Sequence, residues 1–178
     1  MKLINRDHYL NQLISRKDNG PIKVITGIRR CGKSYLLDPI YKTWLISQGI
    51  PEDHIIKIEL DRIQNRKFYQ NPEAFDEYVR SFIKDEGAYY ILLDEIQMVD
   101  GFEYVLNGLL YERNVDVYVT GSNSRFLSSD IITEFRGRGD QIHLNPLSFS
   151  EYYSAVSMEK QDAWNEYLTY GGCLLCYL

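Results

Sequence analysis

A short loop with the spacing Gly, four residues, Gly-Lys-Ser contains the residues best suited to chemistry. It consists of Gly27, Ile28, Arg29, Arg30, Cys31, Gly32, Lys33 and Ser34, between an apolar run at 22–26 and a helical pattern that includes Tyr35. Glycines at both ends let the backbone approach an anion closely, and successive N–H groups together with the following helix N-terminus attract phosphate. The spacing predicts that residues 27–35, the phosphate loop and the residue after it, bind a nucleotide. Lys33 would contact the outer phosphates and Ser34 would bind Mg²⁺.

Two adjacent carboxylates, Asp94 and Glu95, end the continuous apolar run 89–93. A carboxylate at the tip of a buried strand near a phosphate loop can hold Mg²⁺, and its neighbour can orient and deprotonate an attacking water. We therefore predict Asp94 as a metal ligand beside Ser34, and Glu95 as a catalytic base. The alternative is an acidic turn that only ends a strand, and the phosphate loop upstream favours the catalytic interpretation.

A third polar group follows another apolar run, at Thr120-Gly121-Ser122-Asn123. Neighbouring strand ends of a parallel sheet share one crevice, so Ser122 or Asn123 could contact the terminal phosphate or the attacking water. The alternative role is a helix N-cap, which Ser and Asn commonly supply. The residues themselves do not decide between Ser122 and Asn123.

Two arginines, Arg136 and Arg138, flank Gly137 at the end of a predicted helix. A guanidinium on a glycine-flanked loop can stabilise charge on a transferring phosphoryl group, as an arginine finger does. A surface arginine near a helix C-terminus is the alternative. Of the two, we favour Arg138 as the finger.

The elements that must position these groups alternate along the chain. Apolar runs predict strands near 22–26, 55–60, 89–94, 115–120 and 141–144, and helical patterns lie between them. Pro39 should kink or break the helix that follows the phosphate loop. Strands that alternate with helices predict an α/β doubly wound parallel sheet with its ligand at the carboxyl ends of the strands.

The pattern changes after the fifth predicted strand. We expect a core domain at 1–145, and two short helices, at 148–153 and 160–170, in a segment 146–178 that begins a helical lid or C-terminal region. The last residues are apolar with no polar face, which predicts that the chain is part of a longer protein.

Charge and composition restrict the class of protein. The 178 residues are 44% hydrophobic and 25% charged, as in an ordinary globular domain, and the net charge is −5. Residues 1–34 carry eight Lys or Arg against two acids, so the remainder carries −11. A basic loop on an acidic body suits a phosphorylated small ligand and argues against broad nucleic-acid binding by this segment. No bilayer-length apolar run or signal peptide is present, and three cysteines make no disulfide framework, so we predict a cytoplasmic protein without membrane contact.

Taken together, the motifs resemble the AAA-type ATPase domain of a widespread prokaryotic family, in which a C-terminal domain of uncertain, often nuclease-like, function follows. The matching segments are 25–34, 92–97, 119–124, 137–138, 146–152 and 170–172. The resemblance implies a P-loop NTPase three-layer sandwich with a five-stranded parallel sheet and a central phosphate-loop strand. It also implies ATP and Mg²⁺, with Lys33 on the β- and γ-phosphates and Ser34 and Asp94 on the metal side. Glu95 would be the base, the polar residue of the 120–122 turn a sensor, and Arg138 the finger.

The leading functional interpretation is a domain that binds and hydrolyses ATP and so switches a larger protein, with possible homo-oligomers if Arg138 acts in trans. Alternatives are a nucleotide-gated module without turnover, a small-molecule P-loop kinase, and a motor stimulated by nucleic acid. A protein or DNA partner would act through the further domain. The carboxylates after an apolar strand favour activation of water over a kinase, and the acidic body counts against the motor.

Overall fold

Five buried or edge strands form one sheet in the computed structural model, which describes residues 4, 6–121 and 138–172. The strands are β1 (Ile22–Thr26), β2 (Ile55–Glu59), β3 (Tyr89–Asp94), β4 (Val115–Thr120) and β5 (Gly139–His143). Their order is β2-β3-β4-β1-β5, and every neighbouring pair is parallel. The five-stranded parallel α/β prediction is therefore confirmed. The resemblance placed the phosphate-loop strand at the centre, whereas β1 lies between β4 and the edge strand β5, and β4 is the middle strand.

Helical segments cover both faces of the sheet. The covering segments are α1 (Asp7–Arg16), α2 (Lys33–Tyr35), a π-helical turn (Leu36–Tyr41), α3 (Lys42–Ser47), α4 (Pro72–Arg80) and α5 (Phe102–Leu109). Two further helices, α6 (Phe149–Ala155) and α7 (Lys160–Tyr170), follow β5. On one face, Ile91 and Leu93 of β3 belong to a core with α4 and α5. On the other, Tyr90 and Leu92 belong to a core with α1 and the segment 36–45. Because successive side chains of a strand point to opposite faces, one apolar strand serves both cores and makes three layers.

Pro39 interrupts the helix after the phosphate loop, as predicted. Asp38 has the extended angles φ −145° and ψ 118° inside the π-helical turn, and the Asp38–Pro39 peptide bond is cis. The Asp38 carboxylate accepts a hydrogen bond from Lys57 Nζ of β2 at 2.7 Å. The interrupted segment is therefore linked to the edge strand β2 by a charged pair.

The edge strand β5 differs from the predicted 141–144. It begins at Gly139, which pairs with Ile22, and continues until His143, which pairs with Thr26. Its only buried residue is Ile142, so its polar sequence carries no apolar alternation from which the boundaries could be predicted. The boundaries are set by pairing with β1 instead.

The last described helices, α6 and α7, pack on each other and on the N-terminal residues. Ile4, Leu147, Tyr152 and Ala163 form a third buried cluster. Ser148 and Glu151 form a capping box at the start of α6. Within the described residues, no helix is long and apolar enough to cross a bilayer.

A buried ion pair joins β1 to β4 near the amino ends of the strands. Lys23 Nζ contacts Asp116 Oδ1, and neither side chain is more than 7% exposed. Tyr118 donates its hydroxyl hydrogen to Asp116 Oδ2 at 2.7 Å, and the two hydroxyls of Tyr118 and Tyr41 are 2.5 Å apart. Burial raises the pKa of both tyrosines, so each stays neutral and can serve as a hydrogen-bond donor.

We predict that Lys23→Met destabilises the protein by about 3–5 kcal/mol, because it leaves the Asp116 carboxylate buried without its cation. Lys42→Met is the matched control, since Lys42 pairs with the exposed Glu52 and its loss should cost less than about 1 kcal/mol. Urea unfolding of both variants measures the difference. Equal losses would show that the buried pair has no special role.

Candidate functional site

The phosphate loop follows β1 and folds over the carboxyl edge of the sheet. Gly27 has φ +146°, and a Cβ there would lie 2.3 Å from the Leu144 carbonyl oxygen, so no other residue fits. Gly32 has φ +95° and directly precedes α2. Both glycines predicted to turn the backbone therefore do so, and the loop passes closely over the chain that leaves β5.

The Lys33 ammonium lies inside this loop. Its side chain is buried, and Nζ donates to the Gly27 carbonyl at 3.0 Å and to the Ile28 carbonyl at 3.1 Å. A positive charge is thus held within the concave side of the loop, where an anion would bind. Arg29 and Arg30 are exposed on the outside of the loop.

Cys31 fills the interior of the loop. It is almost fully buried, and burial raises the pKa of its thiol above the ordinary value. A buried neutral thiol is inert, so Cys31 acts as a packing residue. Tyr35, one residue past the loop, is half-buried and packs against two of the three apolar clusters.

The structure brings Ser34 of α2 together with Asp94 at the end of β3. Burial raises the pKa of Asp94, while hydrogen bonds from the Thr120 and Ser34 hydroxyls act in the opposite direction. The nearby Glu95 and Asp61 carboxylates also raise it. A hydroxyl and a buried carboxylate side by side supply the hard oxygen ligands that Mg²⁺ prefers. Waters and phosphate oxygens usually complete the coordination of this ion. The predicted metal ligands therefore fit that ion.

Thr120 connects the two carboxylate residues, a role that sequence reasoning missed. Its fully buried Oγ1 donates to Asp94 Oδ1 at 2.5 Å and accepts the Glu95 N–H at 3.0 Å. The available signal was a hydroxyl at the last position of an apolar strand, beside the strand that ends in Asp94. Of the predicted polar turn, Ser122 and Asn123 lie outside the described residues, as does Arg136.

Glu95 is held in an unusual backbone conformation. It has φ +54° and ψ +49°, in the left-handed region that residues with a Cβ rarely occupy, and the Thr120 contact to its N–H accompanies this turn. Its half-buried carboxylate accepts a hydrogen bond from the Gln97 amide. Backbone strain of this kind is concentrated at functional sites, where it fixes the orientation of a side chain.

Arg138 lies at the amino ends of the strands, opposite the carboxyl ends where the phosphate loop lies. Its carbonyl accepts the Ile22 N–H at 2.8 Å, so it stands where β1 begins, whereas the phosphate loop follows Thr26. The length of β1, about 13 Å, separates the two positions. The structure does not bring Arg138 to the loop of its own chain. A finger role would therefore need a second chain, which is one of the two arrangements that the sequence left open.

The parallel sheet and the phosphate loop together define a P-loop NTPase fold. Similar folds occur in AMPPCP-bound DnaA of Aquifex aeolicus (TM-score 0.63, 16% identity, 98% of this chain and 59% of that one). Caenorhabditis elegans PCH-2 is also similar, with a TM-score of 0.59 and 14% identity over 92% of this chain and 46% of that one. Aeropyrum pernix ORC1 in complex with DNA has a TM-score of 0.57 and 13% identity over 90% of this chain and 49% of that one. At these identities the likeness concerns the fold alone.

The chain belongs to a family of AAA domains, whose profile matches residues 19–153. An uncharacterized protein of Haemophilus influenzae is 35% identical over 176 residues, which are 96% of this chain and 44% of that protein. The uncharacterized protein MJ1544 of Methanocaldococcus jannaschii is 30% identical over 187 residues, with 96% and 38% covered. The chain spans less than half the length of these relatives. It is a nucleotide-binding AAA module.

We predict that Asp94→Asn stabilises the protein increasingly as pH rises. The pKa of Asp94 is raised in the folded state, so the native protein binds its proton more tightly than the unfolded chain does. Wild-type stability therefore falls between the unfolded and the folded pKa, and the asparagine variant escapes this loss. Urea unfolding from pH 4 to 8 measures the widening gap, with the surface variant Asp53→Asn as control. A gap that narrows with rising pH would contradict the argument.

We also predict that Thr120→Val lowers the free energy of unfolding by about 1–3 kcal/mol, because the Glu95 N–H and Asp94 both lose a buried partner. Thr120→Ser keeps the hydroxyl and should lose clearly less. Chemical unfolding at one pH compares the two variants. Equal losses would assign the effect to packing of the methyl group.

Proposed function

We propose that this chain hydrolyses ATP with Mg²⁺ and that its nucleotide state switches the conformation of a larger protein. One observation carries the proposal: Ser34 of the phosphate loop and Asp94 of β3 meet at the carboxyl edge of the sheet, with Glu95 beside them. The family, the loop and the paired carboxylates support the same assignment.

Each residue has a defined part in this reaction. Lys33 supplies positive charge to the β- and γ-phosphates, and Glu95 orients a water and takes its proton. The bond from water oxygen to the γ-phosphorus forms as the bond to the bridging β–γ oxygen breaks, which releases ADP and phosphate. Ser34 and Asp94 would hold Mg²⁺, which would supply positive charge beside the phosphates. Thr120 and Gln97 keep Glu95 in place.

The position of Arg138 favours a second candidate, a nucleotide-gated module that binds ATP or ADP stably and turns over negligibly by itself. Arg138 is exposed at the amino edge and does not reach its own loop. A homo-oligomer in which Arg138 of one chain meets the loop of the next would complete the site. A DNA or protein partner would then act through the rest of the longer protein.

We predict that the wild type releases phosphate from ATP with Mg²⁺, that Glu95→Gln binds ATP without turnover, and that Lys33→Ala binds poorly. Calorimetric binding and phosphate release are measured in parallel on the same preparations. Tight binding by the wild type with no release at any protein concentration would overturn hydrolysis for the isolated chain and leave the gated module.

Mixing inactive variants tests the arrangement of Arg138. If it acts in trans, Arg138→Ala should lose about 10³-fold or more in turnover, and an equimolar mixture with Glu95→Gln should recover part of it. Where the loop of an Arg138→Ala chain meets the arginine of a Glu95→Gln chain, the mixed site pairs an intact base with an intact arginine, whereas the reverse pairing has neither. Arg113→Ala is the matched control, because Arg113 is also exposed at the amino edge and should keep full activity. Full activity of Arg138→Ala would remove Arg138 from the mechanism.

A further inference from the structure

A buried arginine near the N-terminus touches three distant parts of the chain. The Arg6 side chain is 1% exposed, and arginine is almost never so buried unless it is paired. Nη1 donates to the Cys31 carbonyl in the phosphate loop at 3.2 Å, and Nη2 donates to the Asn145 carbonyl after β5 at 2.6 Å. The mechanism above uses none of these contacts.

The third contact leads to α6. Arg6 Nε lies 3.1 Å from Glu151 Oε1, an ion pair without the alignment of a hydrogen bond. The other carboxylate oxygen of Glu151 accepts the Ser148 N–H at 2.8 Å and so completes the capping box of α6. One carboxylate thus ties Arg6 to the first turn of the helix.

Further contacts join the same parts of the chain. Tyr35 packs against the cluster of Leu147 and Tyr152, so the helix after the phosphate loop touches the helical pair α6–α7 directly. At the far end of the pair, Tyr167 donates its hydroxyl hydrogen to the Leu147 carbonyl at 2.6 Å. Helix α7 is therefore hydrogen-bonded to the segment 145–147, which Arg6 also contacts through the Asn145 carbonyl.

Arg6 also takes an unusual backbone conformation to make these contacts. Its φ is +49°, in the left-handed region, and its guanidinium carbon lies 4.6 Å from the centre of the Tyr9 ring. The Tyr9 hydroxyl accepts the Asn145 N–H at 3.1 Å. Several independent contacts hold this strained residue in one place, so a shift of one partner is expected to shift the others.

We propose that Arg6 is a positioning residue that couples the phosphate loop to the helical pair α6–α7. A nucleotide that moves the Cys31 carbonyl shifts the guanidinium, and the guanidinium shifts Glu151 and the start of α6. The inference rests on the proposed function, since it names the path by which the nucleotide-driven switch leaves the loop. Coupling is reciprocal, so loss of Arg6 must change both nucleotide affinity and the response of the pair.

The test follows the helical pair through its own tryptophan. Of the two tryptophans in the chain, Trp164 lies in α7, edge-on to Phe149 at 4.8 Å, so Trp44→Phe leaves a single reporter of the pair. We expect ADP or AMPPCP with Mg²⁺ to change Trp164 fluorescence in this background. Arg6→Lys keeps the charge but cannot reach three partners, and should lose most of that change at saturating nucleotide. The dissociation constant of Arg6→Lys for the nucleotide should rise about tenfold, which corresponds to the loss of one hydrogen bond to a charged group.

Two further variants separate coupling from folding. Glu151→Gln keeps the capping box, because glutamine also serves at that position, but removes the charge that faces Arg6. It should fold and lose the fluorescence response even if Arg6→Lys proves unstable. Arg16→Lys is the matched control, since Arg16 pairs with Asp140 at the other edge of the sheet and its change should leave the response intact.

The outcomes are distinct. A full response and unchanged affinity in Glu151→Gln or folded Arg6→Lys would overturn the coupling, as would a Trp44→Phe protein that binds nucleotide without a Trp164 response. Phosphate release is measured separately. A protein that shows the Trp164 response but releases no phosphate would overturn hydrolysis and support the coupling. A protein that releases phosphate without a Trp164 response would support hydrolysis and overturn the coupling.

Discussion

The parallel pairing of β1 with β4 and β5 is the constraint on which the rest of the structure depends. It places the phosphate loop, the end of β4 and the chain leaving β5 at one edge, where Gly27 passes too close to Leu144 for any side chain. It also places Arg138 at the other edge. A polar backbone at a buried strand end needs partners, and the loop and the neighbouring strand ends supply them to one another.

Two charge arrangements of opposite character result from this geometry. At the amino ends, Lys23 neutralises the buried Asp116 and joins β1 to β4. At the carboxyl ends, Asp94 is buried beside other carboxylates, and its raised pKa shows that the folded state disfavours its charge. The first arrangement is complete in itself. A bound cation would offset the second, which is the property expected of a binding site.

Contacts behind the loop extend the site toward the C-terminal helices. Arg6, Tyr9 and Tyr35 come from before and after β1, yet all three meet the segment that follows β5. The phosphate loop therefore has contacts on two sides, toward the end of β3 through Ser34 and toward the start of α6 through Arg6.

The sequence by itself determined the strand and helix order, the phosphate loop and the carboxylate pair, since each depends on local periodicity or on residue spacing. Four strands lie almost where the apolar runs predicted, and the polar edge strand β5 does not, because its limits are set by β1. Only the tertiary structure decided that Ser34 joins Asp94, that Thr120 links both carboxylate residues, and that Arg138 stands apart from its own loop. It also showed that Arg6 lies at the loop. These depend on strand order and on contacts between residues far apart in the chain, which no local pattern records.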